Sequence, residues 1–187
     1  SDGADLGMSV NEIGLIVHEA EIMSGTGLGT VGPILTGGFI LTRRSGGPGI
    51  ALVDRLPVSQ RLRVISGCFG PIFTKKALQS VDLRRKVNAL GKATFRSIAR
   101  DLRPQNFMRA SKKFALGLGL MSPETAQLIA VMETAGAIGA AQNMLGQAVH
   151  AIADEDEAGG ILMAAKRRFP KAKAFMCSLD FAGARLL

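Results

Sequence analysis

Apolar side chains at Ile13, Ile16, Val17, Ala20 and Met23 recur at steps of three and four residues, the spacing of one face of an α-helix. Ser9-Val10-Asn11-Glu12 in front of them has the pattern of a capping box, so the helix should begin near Val10. Gly25 follows the last apolar position and can take the left-handed conformation that stops a helix. The pattern therefore predicts a helix with its apolar face buried. Glu21, four residues after Val17, falls at the margin of that face and in the last turn, where the helix dipole disfavours a carboxylate by about 0.3–1 kcal/mol. Such a position suits either a solvated glutamate or one that holds a cation.

Residues 36–43 and 50–56 are β-prone and flank the turn sequence Ser45-Gly46-Gly47-Pro48-Gly49, which predicts two strands. Pro57 breaks the chain and marks a subdomain boundary. Residues 61–65 alternate polar and apolar as a strand does, ending at Ser66-Gly67 and Gly70-Pro71. Helical spacing then runs from Thr74 through Leu78, Val81, Val87, Leu90, Phe95, Ile98 and Leu102 to Pro104, and Phe107, Phe114 and Leu118 predict a second helix. Ser122-Pro123-Glu124 caps and opens a third. Residues 135–153 are ambiguous, because Gly136, Gly139 and Gly146 weaken a helix while the alanines weaken a strand. Residues 154–168 place acids first and bases last, as the dipole of a helix prefers. A strand over 173–179 and an edge segment over 183–187 complete an α+β order, with an antiparallel sheet covered on one face.

Composition narrows the partners. The chain has 187 residues, 47% hydrophobic, enough for one sizeable core or two small subdomains. Its 23 basic against 15 acidic residues give a net charge of +8, and the basic residues cluster in short groups such as Lys75-Lys76, Arg84-Arg85-Lys86, Lys112-Lys113 and Lys166-Arg167-Arg168. Anionic partners follow from that balance. Nucleic acid is disfavoured, since there is no Trp or Tyr and the nine Phe do not interleave with the basic groups. Cys68, Cys177, His18 and His150 are too few and too scattered for structural zinc. No signal-peptide pattern opens the chain, and the uncharged stretch 134–153 carries Gln142, Asn143, Gln147 and His150, which makes a poor membrane span. A reduced, cytoplasmic protein is expected.

Gly27-Leu28-Gly29-Thr30-Val31-Gly32 fits the dinucleotide fingerprint, with Asp54 at a plausible distance. That fingerprint works only between a strand and a helix N-terminus. Here a helix precedes it, and Pro33 with Gly37-Gly38 follows.

Three separated segments resemble one family. His18-Glu19-Ala20-Glu21-Ile22 with Gly25-Thr26-Gly27-Leu28-Gly29 and Gly37-Gly38, then residues 136–146, then Gly183-Ala184-Arg185-Leu186 resemble archaeal pantoate kinases, a branch of the GHMP small-molecule kinases. The resemblance implies transfer of the ATP γ-phosphoryl group to the hydroxyl of pantoate, in coenzyme A synthesis. It implies a GHMP-kinase-like α+β fold, with residues 1–57 the remainder of an N-terminal domain and 58–187 a ferredoxin-like C-terminal domain. It places Glu21 on the Mg²⁺-binding glutamate, Gly25, Gly27 and Gly29 beside the nucleotide, and Gly136, Gly139 and Gly146 in the glycine-rich third motif near the substrate. Arg43 falls on a basic position suited to the pantoate carboxylate. ATP and Mg²⁺ are the implied cofactors, and a homodimer is compatible.

Two departures stand out. The family's phosphate-cradling Gly/Ser loop lies upstream of the Glu21 helix, so this chain is expected to be the later part of a longer kinase. The family's Gly-Thr-Gly-Leu-Gly-Asp ends here in Thr30, which cannot act as a carboxylate base. Catalysis by positioning and Mg²⁺ alone, substitution by another acid such as Asp54, or a non-catalytic interaction or regulatory module built on the same fold are the alternatives.

Overall fold

A computed structural model describes residues 7–25, 29–70, 81–144 and 146–185. The chain divides into two compact units, one made of Ser1–Val58 with Leu179–Leu187 and the other of Ser59–Ser178.

The first unit begins with helix α1, Val10–Ser24. Its capping box is complete. The Glu12 amide donates to Ser9 Oγ at 3.3 Å, and Glu12 Oε2 accepts from the Ser9 amide at 2.7 Å. These bonds hold the Glu12 carboxyl below its ordinary pKa, the Ser9 hydroxyl contributing most. Gly25 closes the helix in the left-handed conformation (φ 63°) and donates its amide to the Glu21 and Ile22 carbonyls.

The predicted buried face is corrected by the structure. Ile16, Val17 and Met23 are 54%, 46% and 88% exposed, and Gly14 is the only buried residue of α1. The helix seats on the opposite stripe, formed by Gly14, Leu15, His18 and Glu21. The cause is close approach. A Cβ on Gly14 would lie 2.5 Å from Leu35 Cδ1 and 2.8 Å from Pro48 Cγ, so only glycine lets α1 settle against these neighbours.

A short helix α2, Val31–Thr36, occupies the start of the predicted first strand, and Gly37 ends it. Strands β1 (Phe39–Arg44) and β2 (Leu52–Leu56) then pair antiparallel around the glycine-rich turn, with a register irregularity between Thr42 and Arg44. Arg44 donates to the Ile50 carbonyl at 3.0 and 2.8 Å and closes that turn. The expected edge strand at 183–187 is not formed by its described residues. Gly183 (φ 74°) packs where a Cβ would meet the Leu35 carbonyl oxygen at 2.2 Å, and the Ala184 amide donates to the Ile34 carbonyl instead of joining a ladder. Leu186 and Leu187 lie outside the described residues.

The second unit holds β3 (Leu62–Gly70), α3 (Val81–Arg100), α4 (Pro104–Leu118), α5 (Pro123–Thr134), β4 (Gly139–Gln142), β5 (Gln147–Asp154), α6 (Glu155–Arg168) and β6 (Lys173–Ser178). The strands form one antiparallel sheet in the order β4-β5-β3-β6. That is the ferredoxin-like split βαβ order, with α3 to α5 inserted in the first crossover. The ambiguous 135–153 stretch is thus a hairpin. Thr74 and the Lys75-Lys76 pair lie outside the described residues.

Strand alternation sends Ile65, Ala140, Val149, Ala151 and Ala153 to one face. There they pack with Leu128, Ile129 and Met132 of α5 and Ala158, Ile161 and Ala165 of α6 as a closed core. Ser122 Oγ accepts from the Thr125 amide at 3.2 Å and starts α5, and Asp154 caps α6. Asp154 also meets Arg61 at 2.9 Å, and the guanidinium holds its carboxyl below the ordinary pKa.

Candidate functional site at the end of helix α1

Two local rules put Glu21 where it is. Gly14 seats the polar stripe of α1 inward, and Gly25 stops the helix one turn after Glu21. The carboxylate therefore stands at a helix C-terminus with no basic residue in the last turn to neutralise it. Thr30, nine residues further along the chain, donates its hydroxyl to Glu21 Oε1 at 2.8 Å. Glu21 Oε2 is buried and has no hydrogen-bond partner among the described residues. A buried carboxylate oxygen without a donor is costly unless something cationic or protic fills the gap.

A cavity of about 420 Å³ in the same unit is lined by His18, Ile22, Gly29, Pro33, Thr42 and Val53 among others; neither Glu21 nor Thr30 lines it, although each is next in sequence to a residue that does. His18 and Ile22 flank Glu21 on α1, and Gly29 (φ 99°) directly precedes Thr30. Thr42 and Val53 face each other across the β1–β2 ladder and form the opposite wall. Among the described residues no carboxylate lines the cavity. A single buried carboxylate oxygen without a donor fits Mg²⁺, which keeps most of its water and commonly takes one or two protein carboxylates plus phosphate oxygens. Groups of three or more His, Cys, Asp or Glu that could cage a metal are absent among the described residues.

The other expected residues are dispersed. Arg43 and Asp54 form an ion pair with each other, each side chain 37% exposed. They alternate with Thr42 and Val53 along their strands, and neither lines the cavity. Gly25 is the helix cap and Gly29 a cavity wall; Gly27 lies outside the described residues. Gly136 (φ 106°), Gly139 and Gly146 belong to the second unit. At Gly139 a Cβ would fall 2.6 Å from Met108 Cβ, so this glycine is what allows α4 to approach β4. Sequence reasoning did not single out His18 or Thr42 as cavity residues. The signal for His18 was its position three residues before Glu21, on the same side of the helix; nothing in the sequence marked Thr42.

The glycine fingerprint at 27–32 is followed by a helix, α2, which the sequence did not foresee. It is only six residues long, and helix α1, not a strand, precedes it, so the requirement for a dinucleotide site is not met.

No family model matches the chain. Pantoate kinase of Thermococcus kodakarensis is 26% identical over 143 residues, 76% of this chain and 47% of that protein. Pantoate kinase of Methanocaldococcus jannaschii is 26% identical over 141 residues, 75% of this chain and 51% of that protein. Among solved structures, a phosphotransferase related to the CoA biosynthesis pathway superposes with a TM-score of 0.80 at 21% identity, covering 94% of this chain and 56% of its own. The chain is pantoate kinase-like and has the fold of the GHMP kinases. A mevalonate kinase shares that fold with a TM-score of 0.66 at 13% identity, covering 92% of this chain and 57% of its own. So does MDDEF, solved with MVAPP, AMPPCP and magnesium, with a TM-score of 0.62 at 11% identity over 92% of this chain and 60% of its own. The chain spans about half the length of the curated relatives it matches. Among the described residues no helix is long and apolar enough to cross a membrane.

Proposed function

We infer that this chain is the metal- and acceptor-binding part of a small-molecule kinase that transfers the γ-phosphoryl group of ATP to the hydroxyl of pantoate. The observation that carries the reading is Glu21, whose Oε2 is buried at a helix C-terminus without a partner among the described residues, next in sequence to Ile22 of the cavity wall. Similarity to two pantoate kinases points the same way. Glu21 would hold Mg²⁺, which when bound neutralises phosphate charge during transfer. Thr30 fixes the rotamer of Glu21 through its hydroxyl and leaves Oε2 as the oxygen that faces the cation. Phosphoryl transfer depends on positioning and charge neutralisation more than on a strong base, so a threonine here is compatible with turnover. Arg43 pairs with Asp54 through Nε, and among the described residues its two Nη groups have no partner, so they suit the acceptor carboxylate. The reading assigns Gly25, Gly27 and Gly29 to the nucleotide side, and Gly136, Gly139 and Gly146 to the acceptor side.

Titration of the chain with Mn²⁺, followed by electron paramagnetic resonance, tests the metal site without needing turnover. Glu21→Gln should weaken Mn²⁺ binding by about tenfold or more, roughly one charge-assisted contact. The fold should be left intact, since an unfavourable dipole contact is removed. Release of ADP by the whole reading frame that contains this chain, with pantoate, mevalonate and homoserine compared, tests the reaction. Turnover with none of them, together with unchanged Mn²⁺ affinity in Glu21→Gln, would leave the second reading: a non-catalytic interaction module. Thr30 and the lack of any carboxylate lining the cavity favour that alternative.

A further inference from the structure

The second unit contains a cavity of about 610 Å³ whose lining includes Asp101, Arg103, Gln105, Arg109, Lys112 and Glu133. A second cavity of about 450 Å³, to which Arg96 and Arg100 contribute, shares Asp101, Asn106 and Arg109 with it. Five cations therefore line the pair, against two carboxylates. Both carboxylates are already committed. Asp101 accepts from Arg103 Nε and Nη2 at 2.8 Å each and from the Arg103 amide at 3.1 Å, which hold its carboxyl down at a pKa of about 2. Glu133 is paired with Lys112 at 2.6 Å.

Arg109 is different. It has no carboxylate within ion-pair distance among the described residues, and its one protein hydrogen bond runs from Nη2 to Asn106 Oδ1 at 2.8 Å. Asn106 is 4% exposed, and its Nδ2 is anchored on the Ser97 and Asp101 carbonyls at 3.0 and 2.7 Å. The amide is thereby locked with its oxygen toward the guanidinium. Arg109 is held at Nη2 by this amide, and among the described residues its Nε, its Nη1 and the second Nη2 hydrogen are unspent, which leaves one edge with two parallel donors at the wall that the two basic cavities share. A preoriented guanidinium of this kind is matched to a planar or tetrahedral oxyanion. The concavity, and the lack of aromatic side chains among the residues lining it, suit a compact anion better than a single strand of nucleic acid, which needs stacking surfaces.

We propose that the two cavities that share Arg109 bind a phosphate-bearing small molecule, with Arg109 on one phosphate and Arg96 and Arg100 toward the remaining charge. This site is built from residues of the second unit alone and needs no divalent cation.

Calorimetric titration of the whole chain with pyrophosphate, with inorganic phosphate and with a single-stranded oligonucleotide, all in EDTA, decides the matter. Pyrophosphate should bind with a dissociation constant below about 1 mM, and Arg109→Gln should weaken it about tenfold or more, the loss of one charge-assisted fork. Arg109→Lys should recover only part of the binding, because the charge returns without the fork. Arg85→Gln, which removes an exposed cation elsewhere on α3, should change nothing. Should Arg109→Gln lose its far-ultraviolet circular dichroism, Arg100→Gln in the adjoining cavity carries the same test. Absence of pyrophosphate binding at millimolar concentration overturns the proposal. So does equal weakening by Arg85→Gln, which would mean diffuse charge, or tighter binding of the oligonucleotide than of pyrophosphate.

Discussion

Thr30 and Glu21 form a side-chain pair in which one substitution turns a donor into a second carboxylate. The Thr30 hydroxyl donates to Glu21 Oε1 at 2.8 Å. Thr30→Asp replaces that donor with a second carboxylate, and two like charges about 4 Å apart repel by roughly 1–4 kcal/mol between bulk water and a protein surface. The metal-free variant should therefore melt at a lower temperature, and millimolar Mg²⁺ should restore more of the loss than it adds to the parent chain; differential scanning fluorimetry with and without Mg²⁺ reads both. Equal Mg²⁺ effects on the two proteins would show that the pair does not hold the cation. His150 gives a pH-dependent counterpart. Burial lowers its pKa below the ordinary 6.5, and its Nδ1 pairs with Asn143 Oδ1. A depressed folded pKa means that the unfolded chain takes up the proton first, so the stability contributed is complete above about pH 6.5 and lost as pH falls through the folded value. Urea unfolding between pH 7.5 and 5 should show that decline in the parent chain and a smaller one in His150→Gln.

At the scale of elements, the ends of α1 were legible and its buried face was not, whereas the apolar positions Leu128 and Met132 of α5 do face the core. Ser9, Glu12 and Gly25 announced both ends of α1, because caps are local chemistry written in a few residues. The buried side of α1 was misread because apolar periodicity says which face is hydrophobic, while Gly14 decides which face can come close. The glycines of 136–146 show the same logic. They argued against either element when taken one residue at a time, yet Gly139 is required by a neighbour distant in sequence, Met108. Gly139→Ala would place Cβ 2.6 Å from Met108 Cβ. Overpacking of this kind costs about 1–3 kcal/mol, so chemical denaturation should show a lower midpoint. Gly139→Ala with Met108→Gly should lose less than the two single variants together, since glycine at 108 removes the Cβ in conflict; an additive result would mean that the contact is not the cause.

For the molecule as a whole, the order of predicted elements led to the α+β class, and the β4-β5-β3-β6 sheet carries it through. The pairing of distant strands, such as Ser66 with His150, could not be read from a linear pattern, and neither could the meeting of Asn106, Arg109 and Asp101 behind a basic cavity. Composition gave the charge but not its placement. It also hid an exposed apolar face in the first unit. Val10, Ile16, Val17, Ile22 and Met23 of α1 are 62%, 54%, 46%, 62% and 88% exposed. Exposed apolar side chains gathered on one helix favour association in water, at about 25 cal/mol for each Å² that becomes covered. Ile16→Gln with Met23→Lys should therefore reduce binding of a hydrophobic dye and self-association measured by light scattering. The lysine also falls in the last turn of α1, where a cation complements the dipole and contributes about 0.3–1 kcal/mol. The melting temperature should hold or rise. A fall of several degrees would show that these side chains stabilise the fold by being covered, and that the helix face is an interface in solution.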